Sequence, residues 1–404
     1  MPCPCVLIHG ESYGQPRYDF GPTHPLQPVR IDLAVALIAA CGLLDRDGVA
    51  RIAPRAATRE ELERVHDPSY VAAVQELGAG DHLLRDLGDL AERYGFHHED
   101  NPAFPGMAEA AALVAGGTVA GVEAVMDGRA LHAFAPAGGM HHARRARAAG
   151  FCIYNDPAVA IAAMRARYGG RVAYVDVDGH HADGVQSIFY DDPEVLVISL
   201  HESGLYLYPG TGFIDEQGEG AGLGYTVNMP LQRYTTDAPY LLAFNAVVPP
   251  LLRAFDPDLL VTQCGCDVHW HDPLTHLATS MALWSALART FHGLAHELCG
   301  GRWLATGGGG FDIYDVVPRA WTLLFAEMSG AELQDELPPD FLEARRALIA
   351  RGHEPAPRLS DTFSERLDLP IPLAHHQYVL DVTSRTLGRL RAAAFPLLGV
   401  PAGG

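Results

Sequence analysis

The sequence has 404 residues, of which 48% are hydrophobic, and contains 42 glycines and 29 prolines. This composition is typical of a globular, loop-rich protein, and the length suits one large α/β domain or two smaller ones. All 29 basic residues are arginine, and 49 acidic residues bring the formal net charge to −20. That charge argues against direct nucleic-acid binding, and the lack of lysine excludes Schiff-base chemistry and P-loop phosphate binding.

The seven cysteines are scattered along the chain, and their odd number favours a reducing compartment over a disulfide scaffold. Cys3-x-Cys5 and Cys264-x-Cys266 have spacings that can hold soft metals, but we interpret them first as buried or incidental thiols. The amino-terminal segment lacks a basic region followed by an apolar core, and no run of 18 apolar residues occurs. We therefore expect a cytoplasmic protein with no membrane partner.

Hydrophobic periodicity predicts the elements of the amino-terminal part of the chain. They are strands over 5–9 and 58–62, and helices over about 29–42, 66–77 and 107–126. Two irregular segments, 10–28 and 78–105, separate them. Loops of such length in a compact chain usually carry function.

Strands and helices alternate through the rest of the chain. The predicted strands are 130–134, 172–177, 195–199, 225–229, 259–262 and 303–305, and the predicted helices are 156–168, 184–190, 239–254, 277–298 and 314–328. This alternation predicts an α/β fold with a mostly parallel sheet and helices on both faces. We expect a single domain over 1–404, with its core at about 5–330 and a helical, proline-rich extension at 331–404 packed on it.

The chemistry of the chain centres on residues 176–183, which follow the apolar strand 172–177. Open α/β sheets bind ligands just outside the carboxyl ends of their strands. With a strand period of two, Asp176, Asp178 and His180 share one side. Asp178 and His180 together supply one oxygen and one nitrogen ligand, a set that suits Zn²⁺. The alternative is an N-cap aspartate followed by solvated loop histidines.

Asp267 follows the apolar strand 259–262 much as Asp178 follows its own strand. Taken alone, it would be interpreted as a helix-cap or turn residue. Beside Asp178 and His180 it is a candidate third ligand, which would leave a metal ion open to water and substrate, as a catalytic zinc requires.

The tandem pair His141-His142 lies in a loop flanked by glycine. Taken alone, such a pair is more often structural or solvated. Two carboxylates, Asp176 and Asp183, are available to orient one imidazole each, which fixes the tautomer and raises the basicity of the other ring nitrogen. General-base activation of water needs this arrangement.

Several motifs, in the same order along the chain, resemble the zinc-dependent histone deacetylase family. They are Gly138-Gly139-Met140-His141-His142-Ala143, Gly150-Phe151-Cys152, Asp176-x-Asp178-x-His180-His181-x-Asp183-Gly184-Val185, Pro209-Gly210-Thr211-Gly212 and Gly307–Gly310. The segments 100–106 and 312–321 resemble the bacterial acetoin-utilisation-protein branch of that family. The resemblance spans about residues 5–330 and implies the arginase/deacetylase fold, a single parallel sheet flanked by helices.

The resemblance also implies roles at the reaction centre. The metal ligands that it implies are Asp178, His180 and Asp267, which suit Zn²⁺ and fit Fe²⁺ as well. The catalytic residues that it implies are His142 backed by Asp183, as the general base that later protonates the leaving amine, and His141 backed by Asp176, as its electrostatic partner.

A narrow substrate channel is implied in the same way. Phe151 and Tyr208 become the walls around an acyl-lysine stem, although the family usually has phenylalanine at the second wall. Asp100 becomes the rim group that holds the backbone amides of the substrate, and the carbonyl of Gly150 accepts the N–H of the acyl amide.

Two structural K⁺ sites are implied, formed largely by backbone oxygens. The first set is Asp176, Asp178, His180, Ser199 and Leu200. The second set is Phe189, Asp192, Val195 and Tyr225.

One residue departs from the family pattern at an important position. After the glycine run the deacetylases normally have tyrosine, whose hydroxyl polarises the scissile carbonyl, whereas this chain has Phe311. Loss of one oxyanion donor typically costs about 10²–10³ in turnover. Three interpretations stay open: a slow or specialised deacylase, a zinc-containing binder of acylated lysines, and an introduced Tyr→Phe change that traps substrate.

Leu274 bears on the substrate class. Relatives that cleave acetylpolyamines place an acid near this position, so an apolar residue favours acyl-lysine in a peptide, although Leu274 is also compatible with a simple core role. We therefore predict a zinc-dependent amidohydrolase that removes acetyl groups from lysine side chains of proteins or peptides. The alternatives are a non-catalytic acyl-lysine-binding protein and a small-molecule deacetylase. The physiological substrate and the oligomeric state stay open.

Overall fold

The computed structural model describes residues 3–10, 13, 17–80, 87–96, 100–346, 356–361 and 373–402. Its strands are β1 (Cys5–Ile8), β2 (Val49–Ile52), β3 (His132–Ala135), β4 (Val172–Asp176), β5 (Val195–Glu202), β6 (Thr226–Leu231), β7 (Leu259–Gln263) and β8 (Trp303–Thr306). They form one sheet in the order β2-β1-β3-β8-β7-β4-β5-β6, and every neighbouring pair is parallel. The predicted α/β class with a parallel sheet is confirmed.

Helices occupy the connections between strands and the carboxyl-terminal part of the chain. They are α1 (Val29–Ala40), α2 (Arg59–Glu63), α3 (Pro68–Gly78), α4 (Gly88–Arg93), α5 (Met107–Met126), α6 (Asp156–Tyr168), α7 (Asp183–Ile188), α8 (Asp237–Phe255), α9 (Met281–Leu298), α10 (Val316–Met328), α11 (Pro339–Arg346) and α12 (Leu373–Ala394).

The central strand β4 shows how the helices come to cover both faces of the sheet. Successive side chains of a strand point to opposite faces. Ala173 and Val175 lie in a core shared with α1, α8, α9 and α10. Val172 and Tyr174 lie in a second core shared with α3, α5 and α6. Because both faces are covered, β4 is buried along its whole length, and an apolar run is what such a strand needs.

Two segments differ from the sequence prediction. Residues 58–62, predicted as a strand, contain the start of α2, because Thr58 forms a capping box with Glu61 through bonds of 3.2 and 2.7 Å. The strand β2 was not predicted. It is short, lies at the edge of the sheet and is partly exposed, so it lacks a clear hydrophobic pattern. The irregular segment 78–105 also contains the short helix α4.

Within the described residues, α5 and α8 are long and apolar enough, by length and composition alone, to cross a membrane. Most of α5 and half of α8 are buried inside the fold. Core helices of folded domains commonly have this character, so these two helices are weak evidence for a membrane span.

The described part of the carboxyl-terminal segment contacts the rest of the molecule at several places. Helix α12 packs against α8 and β6. Asp361 accepts hydrogen bonds from Arg319 (2.9 Å) and from the backbone N–H of Met281 (2.6 Å), and it lies 3.1 Å from the His269 ring. These contacts place Asp361 and α12 against the core, and the packing of all of residues 331–404 as part of one domain stays a prediction.

A buried ion-pair network holds α11 against α10. The carboxylate of Asp315 binds Arg319 at 2.7 Å and Arg345 at 3.2 Å, and all three side chains are buried. Replacing Asp315 with alanine leaves buried guanidinium charge without this partner, so we expect the free energy of unfolding to fall by about 3–5 kcal/mol in denaturant titrations. The matched control is Asp32→Ala, which breaks the exposed pair with Arg17 and should cost less than about 1 kcal/mol. Equal effects of the two substitutions would contradict this account.

Candidate active site

The carboxyl ends of β3, β8, β7 and β4 are neighbours in the sheet, so the loops that follow these strands meet at one edge. They help to enclose a cavity of about 250 Å³. Many of the predicted site residues line it: Asp100, His141, His142, Gly150, Phe151, Asp178, His180, Tyr208, Leu274 and Phe311. Topology alone therefore brings together side chains that are far apart in the sequence.

Asp178, His180 and Asp267 form a compact cluster at the inner end of this cavity. The Nδ1 atom of His180 lies 3.2 Å from Oδ1 of Asp178 and 2.7 Å from Oδ2 of Asp267. One ligand atom from each residue lies within 4.8 Å of the others. The three residues are therefore close enough for one small ion to contact a ligand atom of each.

The remaining carboxylate oxygens of the cluster are fixed by other groups. Oδ2 of Asp178 accepts hydrogen bonds from the side chain of Gln263 and from the backbone N–H of Gly309, both at 2.7 Å. Oδ1 of Asp267 accepts one from the backbone N–H of Gly179 at 2.6 Å. Each carboxylate therefore directs one oxygen towards its protein support and the other towards His180.

The charge and donor set of the cluster fit a divalent metal ion. Burial, together with the neighbouring Asp178, raises the pKa of Asp267. Two buried carboxylates side by side are costly without a cation. The nearby guanidinium of Arg30 is buried, but its hydrogen bonds go to other groups, the backbone carbonyls of Gly308 and Gly310. Two carboxylate oxygens and one imidazole nitrogen suit Zn²⁺.

Gly309 lets the loop after β8 approach the cluster. A Cβ atom at this position would lie 2.5 Å from Oδ2 of Asp267 and 2.8 Å from Oδ2 of Asp178. A side chain would collide with both candidate ligands. Glycine at this position therefore allows the loop to pack directly against Asp178 and Asp267.

The two histidines predicted as a catalytic pair lie beside the cluster, each on its own carboxylate. Nδ1 of His141 is 2.8 Å from Asp176, and Nδ1 of His142 is 2.6 Å from Asp183. Their Nε2 atoms lie 3.1 Å apart, and Nε2 of His141 is 3.9 Å from Asp178. Nε2 of His141 therefore faces Asp178, and Nε2 of His142 lies beside it.

The surroundings shift the pKa values of the two imidazoles in opposite directions. Although burial disfavours the charged form, Asp176 and Asp178 raise the pKa of His141 to about 9. Burial and the adjacent His141 lower the pKa of His142 to about 4, against the opposing effect of Asp183. His142 is thus the neutral member that can accept a proton.

Several supporting residues of the histidine loop escaped the sequence analysis. Tyr174 donates to Asp176 at 2.5 Å, and Arg144 donates to Asp183 at 2.8 Å. The side-chain amide of Asn155 donates to the carbonyl of His141 at 3.0 Å. An available signal was Asn155 itself, which caps α6 through its side chain.

The channel wall at Phe151 is held in an uncommon backbone conformation. Phe151 has φ +68°, with its N–H donating to Asn101 (3.2 Å) and its carbonyl accepting from Tyr18 (2.9 Å). Gly150 before it has φ +50°, and a Cβ there would lie 2.3 Å from the His142 ring. The second wall, Tyr208, places its ring 5.1 Å from that of His142 and is 44% exposed.

Phe311 lies in the same channel. Its ring centroid is 5.8 Å from that of Phe151 and 6.5 Å from that of His180. Its backbone N–H donates to Asp272 at 2.8 Å, and Asp272 also accepts from the N–H of Leu274 at 2.9 Å. The aromatic ring is therefore well placed beside the cluster but offers no hydrogen-bond donor.

The histone deacetylase domain matches residues 24–328, three quarters of the chain, including all the residues of this cavity. The chain belongs to the histone deacetylase family. Within this family it is 41% identical, over 95% of its length and 96% of the relative's, to the acetoin utilization protein AcuC of Bacillus subtilis. It is 37% identical, over 79% of its length and 80% of the relative's, to AcuC of Staphylococcus aureus.

Solved structures of the family have the same fold. The histone deacetylase homologue of Aquifex aeolicus superposes with a TM-score of 0.78 at 34% identity, covering 89% of this chain and 94% of that chain. A histone deacetylase homologue complexed with SAHA superposes with a TM-score of 0.77 at 31% identity, covering 98% of this chain and all of that chain. The arginase/deacetylase fold and the acetoin-utilisation branch predicted from the motifs are confirmed.

The residues that the family resemblance assigns to K⁺ fall into two places. Asp176 and Ser199 are register partners in β4 and β5, with Leu200 next in β5 and with Asp178 and His180 in the loop after β4. Near the amino ends of β5 and β6 lie the residues of the second set, Phe189, Asp192, Val195 and Tyr225. The first set therefore lies around the carboxyl end of β4, and the second lies near the amino ends of β5 and β6.

Asp100 lies exposed at the mouth of the cavity, and its backbone carbonyl is 3.1 Å from the His24 ring. This position agrees with the rim role that the resemblance implied. Residues 97–99, which come just before Asp100, lie outside the described residues.

Proposed function

We propose that this member of the deacetylase family is a cytoplasmic zinc-dependent amidohydrolase that removes acetyl groups from lysine side chains of proteins or peptides. The observation that carries the proposal is the position of the Asp178–His180–Asp267 cluster beside the His141–His142 pair, at the inner end of an aromatic-walled channel. The presence of SAHA in one similar structure supports a channel that accepts an elongated ligand.

The reaction follows from the arrangement of the side chains. Zinc held by Asp178, His180 and Asp267 supplies a Lewis acid for water and for the amide carbonyl. His142, whose Nδ1 is engaged by Asp183, takes the proton of the attacking water on Nε2 and later gives it to the leaving amine. The ring of His141, whose pKa Asp176 and Asp178 raise against the effect of burial, is placed to stabilise negative charge that develops beside it.

The channel residues account for a lysine-like substrate. Phe151 and Tyr208 enclose the aliphatic stem, while the carbonyl of Gly150 receives the amide N–H and Asp100 binds backbone amides at the rim. Leu274 lines the cavity without offering a charge to a distal ammonium group. This lining favours acyl-lysine within a peptide over an acetylated polyamine.

Hydrolysis of a fluorogenic acetyl-lysine peptide tests the proposal directly. We expect the zinc-loaded protein to release acetate, the metal-free protein to release none, and re-addition of Zn²⁺ to restore activity. Reconstitution with Fe²⁺, which this ligand set also fits, compares hydrolysis by the Fe²⁺-loaded protein with hydrolysis by the Zn²⁺-loaded protein. Hydrolysis that is indifferent to metal removal would refute the proposed chemistry.

The support of Asp178 by Gln263 gives a sharper prediction. Gln263→Ala removes the 2.7 Å hydrogen bond to Oδ2 of Asp178, so we expect zinc affinity or activity to fall by about 10–100-fold. Zinc titration against a competing chelator measures this change. Gln377→Ala, on the exposed surface of α12, is the control and should leave the affinity unaltered. Unchanged zinc affinity and activity in Gln263→Ala would contradict a positioning role.

A second candidate function, binding of acylated lysine without turnover, is favoured by one observation. Phe311 occupies the position beside the cluster but has no hydroxyl group. This second function would be favoured if the chain with Phe311 and the Phe311→Tyr variant both bind the acetyl-peptide tightly without hydrolysing it.

We further propose K⁺ at the two clustered sets described above. The first set includes Asp176, the carboxylate that orients His141, so exchange of K⁺ for Na⁺ in the buffer tests it through the melting temperature and the hydrolysis rate. Identical values in the two salts would argue against both sites.

A further inference from the structure

A second cluster of side chains that could bind a metal lies at the amino ends of the strands. The active site lies at their carboxyl ends. Cys3 comes two residues before β1, and His132 is the first residue of β3, so both lie at the amino ends of neighbouring strands. His292 and His296 belong to α9. The cluster therefore combines residues from three remote parts of the chain.

The four ligand atoms are arranged around one point. Sγ of Cys3 lies 3.0 Å from Nε2 of His132 and 3.6 Å from Nε2 of His296. The Nε2 atoms of His292 and His296 are 3.1 Å apart, and one ligand atom from each of the four residues lies within 4.8 Å of all the others. A tetrahedral zinc ion with one thiolate and three imidazoles places its ligand atoms about 3.3–3.6 Å apart.

The surroundings support the histidines in this orientation. His292 and His296 are four residues apart, so they project from the same face of α9. Nδ1 of His292 lies 2.9 Å from the carboxylate of Glu327 on α10, which leaves its Nε2 free to face the cluster. A carboxylate on the far ring nitrogen is the usual support of a metal-binding histidine.

The cluster also has a suitable position for a metal ion. Cys3 and His132 are buried, His292 is half-buried and His296 is exposed, so an ion can reach the cluster from solvent on the α9 side. The imidazole of His132 packs against Trp303, with ring centroids 5.5 Å apart. Nδ1 of His132 has no hydrogen-bond partner among the described residues.

We propose that Cys3, His132, His292 and His296 bind a second metal ion, a divalent ion of the zinc class, in a closed site with four protein ligands. One thiolate and three imidazoles suit Zn²⁺ and fill its tetrahedral shell, which leaves no position for a substrate. The site is therefore structural. It ties the segment before β1 to α9, and it is independent of the chemistry proposed for the active site.

The spacing Cys3-x-Cys5, interpreted from the sequence first as two buried or incidental thiols, does not place both cysteines in this cluster. The structure places Cys5 in the hydrophobic core with residues such as Leu7 and Ala34, while Cys3 faces the histidines. The two cysteines are only two residues apart, but Cys5 packs in the core and Cys3 belongs to the cluster.

Cobalt substitution distinguishes the two metal sites, because only the second contains sulfur. We expect the Co²⁺-loaded protein to hold two ions per chain and to show a thiolate-to-cobalt charge-transfer band in the near ultraviolet. Cys3→Ser should bind one ion and lose the band. His180→Ala, which removes an active-site ligand, should bind one ion and keep the charge-transfer band. Cys41→Ser, at a half-buried thiol outside the cluster, should keep both ions and the band.

Two outcomes would overturn the proposal. A native protein that binds Co²⁺ without a charge-transfer band would mean that the cluster is only a hydrogen-bonded group, and a band that persists in Cys3→Ser would place the thiolate elsewhere. If Cys3→Ser does not fold, the exposed ligand His296 gives a second variant, since His296→Ala should weaken or shift the band. Failure of the active-site proposal would leave the band of the native protein unchanged.

Thermal stability gives an independent measurement of the same site. In the His180→Ala variant, we expect added Zn²⁺ to raise the melting temperature in a concentration-dependent manner, because only the folded state presents the four ligands together. The double variant His180→Ala/Cys3→Ser should show little or no such shift. Equal shifts in the two variants would refute a stabilising ion at this cluster.

Discussion

Replacement of Phe311 with tyrosine is expected to raise the turnover of acetyl-lysine hydrolysis by about 10²–10³-fold, the usual value of one oxyanion donor. Phe311 lies in the channel with its ring centroid 6.5 Å from that of His180, and its backbone is fixed by the bond to Asp272. A hydroxyl group on this ring would add a donor beside the place where the scissile carbonyl binds. The measurement is kcat for the native chain and for Phe311→Tyr, both zinc-loaded, on the same peptide.

Each outcome of this comparison has a definite meaning. A strong gain shows that the rest of the site is an intact deacetylase attenuated by Phe311. Similar activity in both proteins means that another group stabilises the oxyanion. Silence in both favours the binding function. Phe311→Leu, which also lacks a hydroxyl group, should give no gain and controls for changes in packing.

The second large effect is expected at His142. Substitution by alanine removes the proposed general base and should lower kcat by about 10²–10⁴-fold. Burial and the adjacent His141 lower the pKa of His142. Its ring is therefore the uncharged member of the pair, with a nitrogen that can accept a proton. The substitution is best made in the Phe311→Tyr background, where the higher starting rate makes the loss measurable.

Metal content separates this effect from a loss of zinc. His142 is not among the three proposed ligands, so His142→Ala should retain its active-site metal while losing turnover. His276→Ala, at a half-exposed ring paired with Glu202, is the control histidine and should keep full activity. A His142→Ala protein with turnover within a few-fold of its parent would exclude the general-base role.

The two proposals about metals differ in how well the sequence supported them. Asp178, His180 and Asp267 each follow a predicted strand, so the rule that ligands bind at carboxyl ends was enough to suggest a site. Nothing in the local sequence linked Cys3 with His132, His292 and His296. These residues meet only because β1 pairs with β3 and because α9 packs beside them.

Local chemistry explains which elements the sequence predicted well. The helices over 107–126 and 156–168 were predicted with the bounds that the structure has, because both are continuous alanine-rich stretches that favour a helix. The segment 58–62 was misjudged because the Thr58–Glu61 capping box was not recognised. The edge strand β2 was missed because partial exposure weakens its pattern.

By itself the sequence determined the parallel α/β architecture and the family, and it singled out the residues that we propose as metal ligands and as the histidine pair, because strand and helix periods and short motifs are local properties. Tertiary structure alone decided which carboxylate oxygens face His180, how Asn101 and Tyr18 hold Phe151, and that Cys3 joins three distant histidines. These features depend on contacts between residues far apart in the chain. Such contacts are fixed by how the strands pair and the helices pack, which no local pattern records.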